Sequence, residues 1–183
     1  SGNCGFDATP NDLDIGAMNA ADYQGSAACG GCVTLKGPKG TLTIRIVDQC
    51  PDCPQGNIDL SPSAFDKIAD HSAGRVPITW SYVGCGIGGP LTYQFKDGSN
   101  QWWTAVQIRN SRFRVSKFEY QKDGAFVAVN RESYNYFVEP NGMGPGPYAF
   151  RLTDVHGHTL EDSAIALVVA GDVPGAAQFD DCN

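Results

Sequence analysis

The sequence predicts a mainly β protein built as two small domains, and three observations carry that reading. Val, Ile, Thr, Tyr and Phe recur in short runs bounded by turn residues, with 22 Gly and 11 Pro spread along the chain without a repeat, which is the pattern of strands and turns. At 183 residues the chain exceeds the usual single-domain size and accommodates two units of ~90 residues, each able to bury a small core. A Gly-rich stretch closing on a proline, Gly84 to Pro90, divides them. It is too short for a free tether and reads as a stiff joint, giving domains at 1–87 and 88–183.

In the first half an irregular loop leads to a short helical stretch around Asn19 to Tyr23. The strand-like segments Val33-Thr34-Leu35 and Thr41 to Val47 follow, joined by the turn Gly37-Pro38-Lys39-Gly40. A helix comes next: Ser61 suits the N-cap, Pro62 fits the first helical position, and Ala64, Phe65, Ile68 and Ala69 recur at helical spacing to bury one face. Val76 to Val83 reads as a strand. From Leu91 onward short strands alternate with turns at Asp97-Gly98-Ser99-Asn100, Lys122-Asp123-Gly124, Asn141 to Pro147 and His156-Gly157-His158, and that regular spacing points to a β-sandwich.

Charge narrows the partners. The net charge is −7 with no basic cluster, which argues against nucleic acid, because such partners need a Lys/Arg stripe to displace counterions. The same charge should repel anionic pectin. No apolar run approaches the ~20 residues needed to cross a bilayer, so no membrane partner is expected. The opening Ser1-Gly2-Asn3-Cys4 reads as the start of a mature, soluble protein.

Seven cysteines, at 4, 29, 32, 50, 53, 85 and 182, require either thiol chemistry or disulfides. Cys29-x-x-Cys32 and Cys50-x-x-Cys53 match the spacing of a four-cysteine zinc site. Disulfides are the favoured reading, because zinc would leave Cys4 and Cys85 over, and a small Gly-rich β domain needs staples. No metal and no cofactor is expected. Cys182 is the odd thiol, read as a free tail cysteine or, less simply, as half of an intermolecular bridge.

Asp48 and Asp59 carry most of the functional signal. Each follows a β-branched residue and precedes a turn or a helix start. A carboxyl group at a strand end projects from a rigid edge into solvent, where a general acid or an acceptor for sugar hydroxyls can meet a polymer. Aspartates before turns also serve simply as turn formers, and Asp59 could favour a helix N-terminus. In the second half Trp102-Trp103 precedes Thr104-Ala105-Val106-Gln107-Ile108. Strand alternation would place one indole in the core and one outside. Flat exposed aromatics stack on the C–H faces of sugar rings, and both indoles can share one surface only if the strand begins irregularly at Gln101. Tyr134 could extend such a row. The His156-Gly157-His158 pair reads as solvated turn residues, since no third ligand stands nearby.

Taken in order, Cys-Gly-Gly-Cys-Val at 29 to 33, Val-Asp-Gln-Cys at 47 to 50, Ile-Asp-Leu-Ser-Pro at 58 to 62, then Trp102-Trp103 and Tyr134, the chain resembles a microbial expansin over nearly its whole length. The first half is similar to the barwin-like double-psi β-barrel. The second is similar to the expansin cellulose-binding domain, carbohydrate-binding module family 63, from Tyr93 through Lys96, the Trp pair and Tyr134. The resemblance implies a six-stranded double-psi β-barrel followed by an immunoglobulin-like β-sandwich.

It also implies roles. Asp59 matches the essential aspartate that resembles the general acid of family-45 endoglucanases, and Asp48 the second acidic groove residue. Trp102, Trp103 and Tyr134 match the cellulose-binding platform, with Lys96 a polar neighbour. By analogy with barwin, Cys4 pairs with Cys29 and Cys32 with Cys85. The barwin partner of Cys50 is missing here, so a local Cys50–Cys53 bridge is inferred. An early strand carrying Gly, Ala, Thr and an aromatic, expected before the region of Cys4, is not found in the sequence, and with it any groove residue it supplies. The expected protein is a secreted, extracellular monomer whose partners are cellulose and associated wall glucans, and which loosens walls without hydrolysis. Two other classes stand beside it: a β-1,4-glucan hydrolase or peptidoglycan lytic transglycosylase using Asp59 as general acid, and a binding module or barwin-like defence protein.

Overall fold

A computed structural model describes residues 2–181 of the chain. It divides into two compact units, Ser1–Cys85 and Gly86–Asn183. Cys182 lies outside the described residues.

The first unit contains β1 (Ile15–Asn19), α1 (Ala20–Tyr23), β2 (Cys32–Gly37), β3 (Gly40–Cys50), β4 (Ile58–Leu60), α2 (Pro62–Ile68), a 3-10 turn at His71–Ala73, and β5 (Thr79–Val83). Its sheet runs β4-β1-β3-β2-β5. The resemblance implies six strands, and the described residues form five in this sheet. One reason is β3, which at 11 residues serves two neighbours: Gly40–Arg45 pairs antiparallel with β2, and Arg45–Cys50 runs parallel to β1. The second is that Val76–Ile78, read from sequence as part of a strand, carries no ladder and leaves β5 to begin at Thr79.

Helix α2 starts where Ser61 and Pro62 place it. The Ser61 Oγ accepts the Ala64 N–H at 3.2 Å, which satisfies one of the free donors of the first turn. Ala64 and Ile68 then bury against Leu35, Ile44 and Ile46 of the sheet. Three disulfides close the unit: Cys4–Cys29, Cys32–Cys85 and Cys50–Cys53. The four cysteines of the two Cys-x-x-Cys motifs are thus engaged, Cys29 and Cys32 with separate distant partners.

The second unit contains β6 (Thr92–Phe95), β7 (Thr104–Arg109), β8 (Val115–Lys122), β9 (Ala125–Arg131), β10 (Phe137–Glu139), β11 (Tyr148–Asp154), β12 (Thr159–Ile165) and β13 (Asp172–Pro174). Hydrogen bonding orders them β12-β11-β8-β9-β10-β7-β6-β13. Although β6 and β11 stand far apart in that order, their rings meet: Tyr93 and Phe150 centroids lie 5.1 Å apart, Phe95 and Tyr148 5.9 Å. The strand run therefore folds back on itself as a sandwich around one aromatic core. Strand β9 turns the corner, pairing with β8 along Ala125–Val129 and with β10 at Asn130 and Arg131. The β8–β9 hairpin closes on Asp123-Gly124, both at positive φ, the two-residue turn whose twist suits antiparallel strands.

One buried polar link crosses this core. The Tyr93 hydroxyl donates to Asp162 Oδ2 at 2.6 Å, and Asp162 Oδ1 accepts the Ala176 N–H at 2.8 Å. Burial, and then the neighbouring Asp162, push the Tyr93 phenol above its ordinary range.

Candidate functional site

The two aspartates of the first unit meet through β1. Ala17 pairs with Asp59 on one side and with Asp48 on the other. Residues paired directly across neighbouring strands project to the same face, so Asp59, Ala17 and Asp48 form one row, with a methyl group as the floor between two carboxylates. Two strand spacings set their Cα atoms ~9.5 Å apart. This alignment depends on a bulge. Gly16 pairs with Ile46 and Ala17 with Asp48, so Val47 is the extra residue of β3. Without it, the core-facing Ile46 would be followed by Val47 on the groove face, and Asp48 would point inward.

The carboxylates differ in their engagement. Asp48 Oδ1 accepts the main-chain N–H groups of Asn3 at 2.6 Å and Gln49 at 2.8 Å. Gly2 packs so close that a Cβ there would stand 2.5 Å from the Asp48 Cβ. The Asp59 carboxylate is exposed and has no hydrogen-bond or ion-pair partner among the described residues. It belongs to a cavity of about 550 Å³, lined by Ile58, Leu60, Phe65, Arg75, Val76 and Cys53 among others.

Asp59 sits on a three-residue edge strand, and fastenings at both ends hold it. At the C-terminal end the Ser61 N–H donates to Ile15 O at 3.1 Å. At the N-terminal end Asn19 Nδ2 donates to Asn57 O at 3.0 Å, Trp80 Nε1 to Gly56 O at 2.8 Å, and the Gly56 N–H to Asp22 Oδ2 at 3.0 Å. The Asn19 amide, followed by Gly56 and Gln55, lowers the Asp22 pKa against the opposing effect of burial.

In the second unit Trp102 is 72% exposed and Trp103 is half-buried. The pair precedes β7 on a turn. Asn100 Oδ1 accepts the N–H groups of Trp102 at 2.8 Å and Trp103 at 3.1 Å, while the Asn100 N–H donates to Trp103 O at 2.7 Å. Because the strand begins only at Thr104, strand alternation does not govern the two indoles. Gly142 locks this turn: a Cβ there would lie 2.0 Å from Gln101 O, and its φ is +77°, so only glycine admits the close approach.

Tyr134 is 38% exposed, and Lys96 Nζ lies 5.9 Å from its ring and 5.2 Å from that of Tyr136. The Tyr136 hydroxyl donates to Gln94 Oε1 at 2.9 Å, tying this aromatic pair to β6. Burial, then Glu132, raise the Tyr134 phenol. Lys96, Tyr134 and Tyr136 thus come together, while no ring contact joins Trp102 or Trp103 to Tyr134 among the described residues.

The histidine turn is organised by Asp154. Its Oδ1 accepts the N–H groups of His156 and His158, and its Oδ2 lies 3.0 Å from His158 Nδ1. Among the described residues no three His, Cys, Asp or Glu side chains are placed to hold a metal.

The sequence places Asn100 and Gly142 in turns without giving either a role at the site, and it gives Tyr136 none. An asparagine two residues before an exposed aromatic is a legible side-chain turn signal. Tyr136 and Gly142 carry no comparable local signal, since each matters through a contact with a distant segment.

A protein-family model described as lytic transglycolase matches residues 15–80. Expansin-YoaJ of Bacillus subtilis is 39% identical over 95% of this chain and 78% of its own length. Expansin-like protein 1 of Dictyostelium discoideum is 33% identical over 87% of this chain, which spans 60% of that protein. A crystal structure of apo Clavibacter michiganensis expansin matches 100% of this chain and 90% of its own, at a TM-score of 0.91 and 31% identity. A mutant of the same expansin, solved with cellohexaose, matches at 0.91 and 30%. The cysteine framework, the Asp48–Ala17–Asp59 row and the Trp turn thus belong to a chain with close relatives along nearly all its length, and that chain is a bacterial-type expansin.

Proposed function

We infer that this protein loosens plant cell walls without hydrolysis, holding cellulose with its second unit and weakening noncovalent contacts between glucan chains with the groove of its first. In this reading Trp102, Trp103 and Tyr134 stack on sugar faces, Lys96 supplies a polar contact beside Tyr134, and Asp59 engages glucan hydroxyls while Asp48 shapes the other side of the groove. The observation that carries it is the unequal engagement of the two carboxylates. An inverting hydrolase needs a second carboxylate ~6.5–9.5 Å from the acid, free to activate water, and here Asp48 spends an oxygen on main-chain N–H groups under Gly2. The cellohexaose bound by the Clavibacter michiganensis relative supports a glucan as the partner. The protein acts outside the cell as a monomer, consistent with its three disulfides.

A second reading, a lytic transglycosylase, needs only an acid, and the family-model match together with the unpartnered Asp59 favours it over a hydrolase. The discriminating experiment follows extension of heat-inactivated walls under constant load beside product analysis. Extension with no reducing sugar released from amorphous cellulose, and no anhydro-sugar ends formed from peptidoglycan, supports loosening. Stoichiometric release of either product transfers the function to an enzyme.

A further inference from the structure

The segment between the two aspartates, residues 50–57, connects β3 to β4 past the end of β1, and it carries the Cys50–Cys53 disulfide. Cys50 pairs with Asn19 in the β1–β3 register, and Cys53 lines the cavity of Asp59. The bridge spans only Pro51 and Asp52, both exposed, and both of its cysteines are half-buried; in the other two bridges Cys29 is half-buried while Cys4, Cys32 and Cys85 are buried. Strand β4 is three residues long, with β1 as its only strand partner among the described residues. So short an edge strand does not hold its own place. Its upstream fastenings, Trp80 Nε1 to Gly56 O, the Gly56 N–H to Asp22 Oδ2 and Asn19 Nδ2 to Asn57 O, act on the last two residues of this same segment.

Building on the wall-loosening reading, we propose that Cys50–Cys53 is a redox-addressable positioning element for Asp59. A dithiol donates two electrons and two protons to the disulfide, is itself oxidised to a cyclic disulfide, and leaves two thiols at Cys50 and Cys53. The segment then loses its covalent tie, its hold on Gly56 weakens, and Asp59 leaves its row with Ala17 and Asp48. It is the one bridge of the three whose two cysteines are both partly exposed, and reduction therefore reaches it first. The second unit keeps its grip on cellulose, so the reduced protein adheres without loosening.

The experiment titrates the whole protein with dithiothreitol under native conditions. Exposed thiols are alkylated and mapped, and wall extension, cellulose binding and the indole ¹⁵N–¹H resonances are followed together. The expected result is that thiols appear first at Cys50 and Cys53, extension falls at least fivefold, and cellulose binding changes less than twofold. The Trp80 indole resonance moves while those of Trp102 and Trp103 stay, and reoxidation restores extension. A C50S/C53S variant should reproduce the reduced state and be insensitive to dithiol. Reduction of Cys50–Cys53 with extension and the Trp80 resonance unchanged overturns the proposal, as does earlier reduction of either other bridge. An Asp59→Asn control separates the two levels: if it retains full extension, the groove reading itself fails; if it abolishes extension while C50S/C53S does not, only the redox inference fails.

Discussion

The two units solve the problem of stability in opposite ways. The first, 85 residues long, has a compact core of 11 buried residues, small or aliphatic apart from Tyr23, and closes itself with three disulfides. The second has no disulfide among its described residues, and its hydrophobic core is a cluster of 17 buried residues, of which nine are Phe or Tyr. The difference suits the division of labour proposed above. The groove of the first unit rests on an edge strand that packing alone does not secure, so covalent closure substitutes for core. A platform needs flat rings outside, and a sandwich whose core is already aromatic can expose others without losing its fold.

The sharpest way to break this comparison is to cut the longest staple. Chain entropy gives the Cys32–Cys85 bridge, at a sequence separation of 53, about 4 kcal/mol, against about 3.5 for Cys4–Cys29 at 25 and about 2 for Cys50–Cys53 at 3. A C32S/C85S variant should lower the stability of the first unit by that amount and leave the second untouched, read by calorimetry or by amide exchange unit by unit. Equal loss in both units contradicts the comparison.

Next in size is the platform. Trp102→Ala with Trp103→Ala should weaken cellulose binding by at least tenfold, about 1.4 kcal/mol, in a pull-down isotherm. With one indole 72% exposed and the other half-buried on a turn, the melting temperature should move by only a few degrees. Collapse of the fold would make Trp103 a core residue. Stacking also depends little on salt, so added salt should leave this binding intact.

A separate effect, confined to the second unit, concerns acid. Glu119 on β8 is held down to about 2, first by hydrogen bonds from Arg151 and then by Lys117, against the opposing effect of burial. Arg151 Nε and Nη2 donate to its two oxygens at 2.8 and 3.0 Å, and Lys117 Nζ lies 2.9 Å away. A carboxylate whose folded pKa is depressed contributes stability that is present above its ordinary value of 4.5 and is lost as pH falls toward 2. The second unit should therefore lose stability between about pH 4.5 and 2, and Glu119→Gln should flatten that slope in melting curves taken across the range. An unchanged slope removes Glu119 as its cause.

Local chemistry was legible; alignment between distant segments was not. Ser61-Pro62 announces α2 and Asp123-Gly124 announces its hairpin, because both signals act within a few residues. The order of motifs carried the family likeness, and the roles proposed for Asp59, Trp102, Trp103 and Tyr134 come from that likeness. The bulge at Val47 left no trace in the pattern, since a single extra residue in a β-branched run does not disturb its composition, yet it decides that Asp48 shares a face with Asp59. The Trp pair was ambiguous for a related reason: strand alternation is the right rule from Thr104 onward, and whether it reaches back to Trp102 depends on a hydrogen bond from Asn100 and on the space left by Gly142. Val76–Ile78 read as strand from its β-branched residues and serves instead as a wall of the Asp59 cavity.

The division of labour itself is tested most directly by Asp59→Asn, a substitution of nearly equal size at an exposed side chain. Wall extension under constant load and binding to purified cellulose are measured on the same preparation. The account predicts that extension is lost while cellulose binding stays within twofold of the parent protein. Loss of both together, or extension that persists, would contradict it.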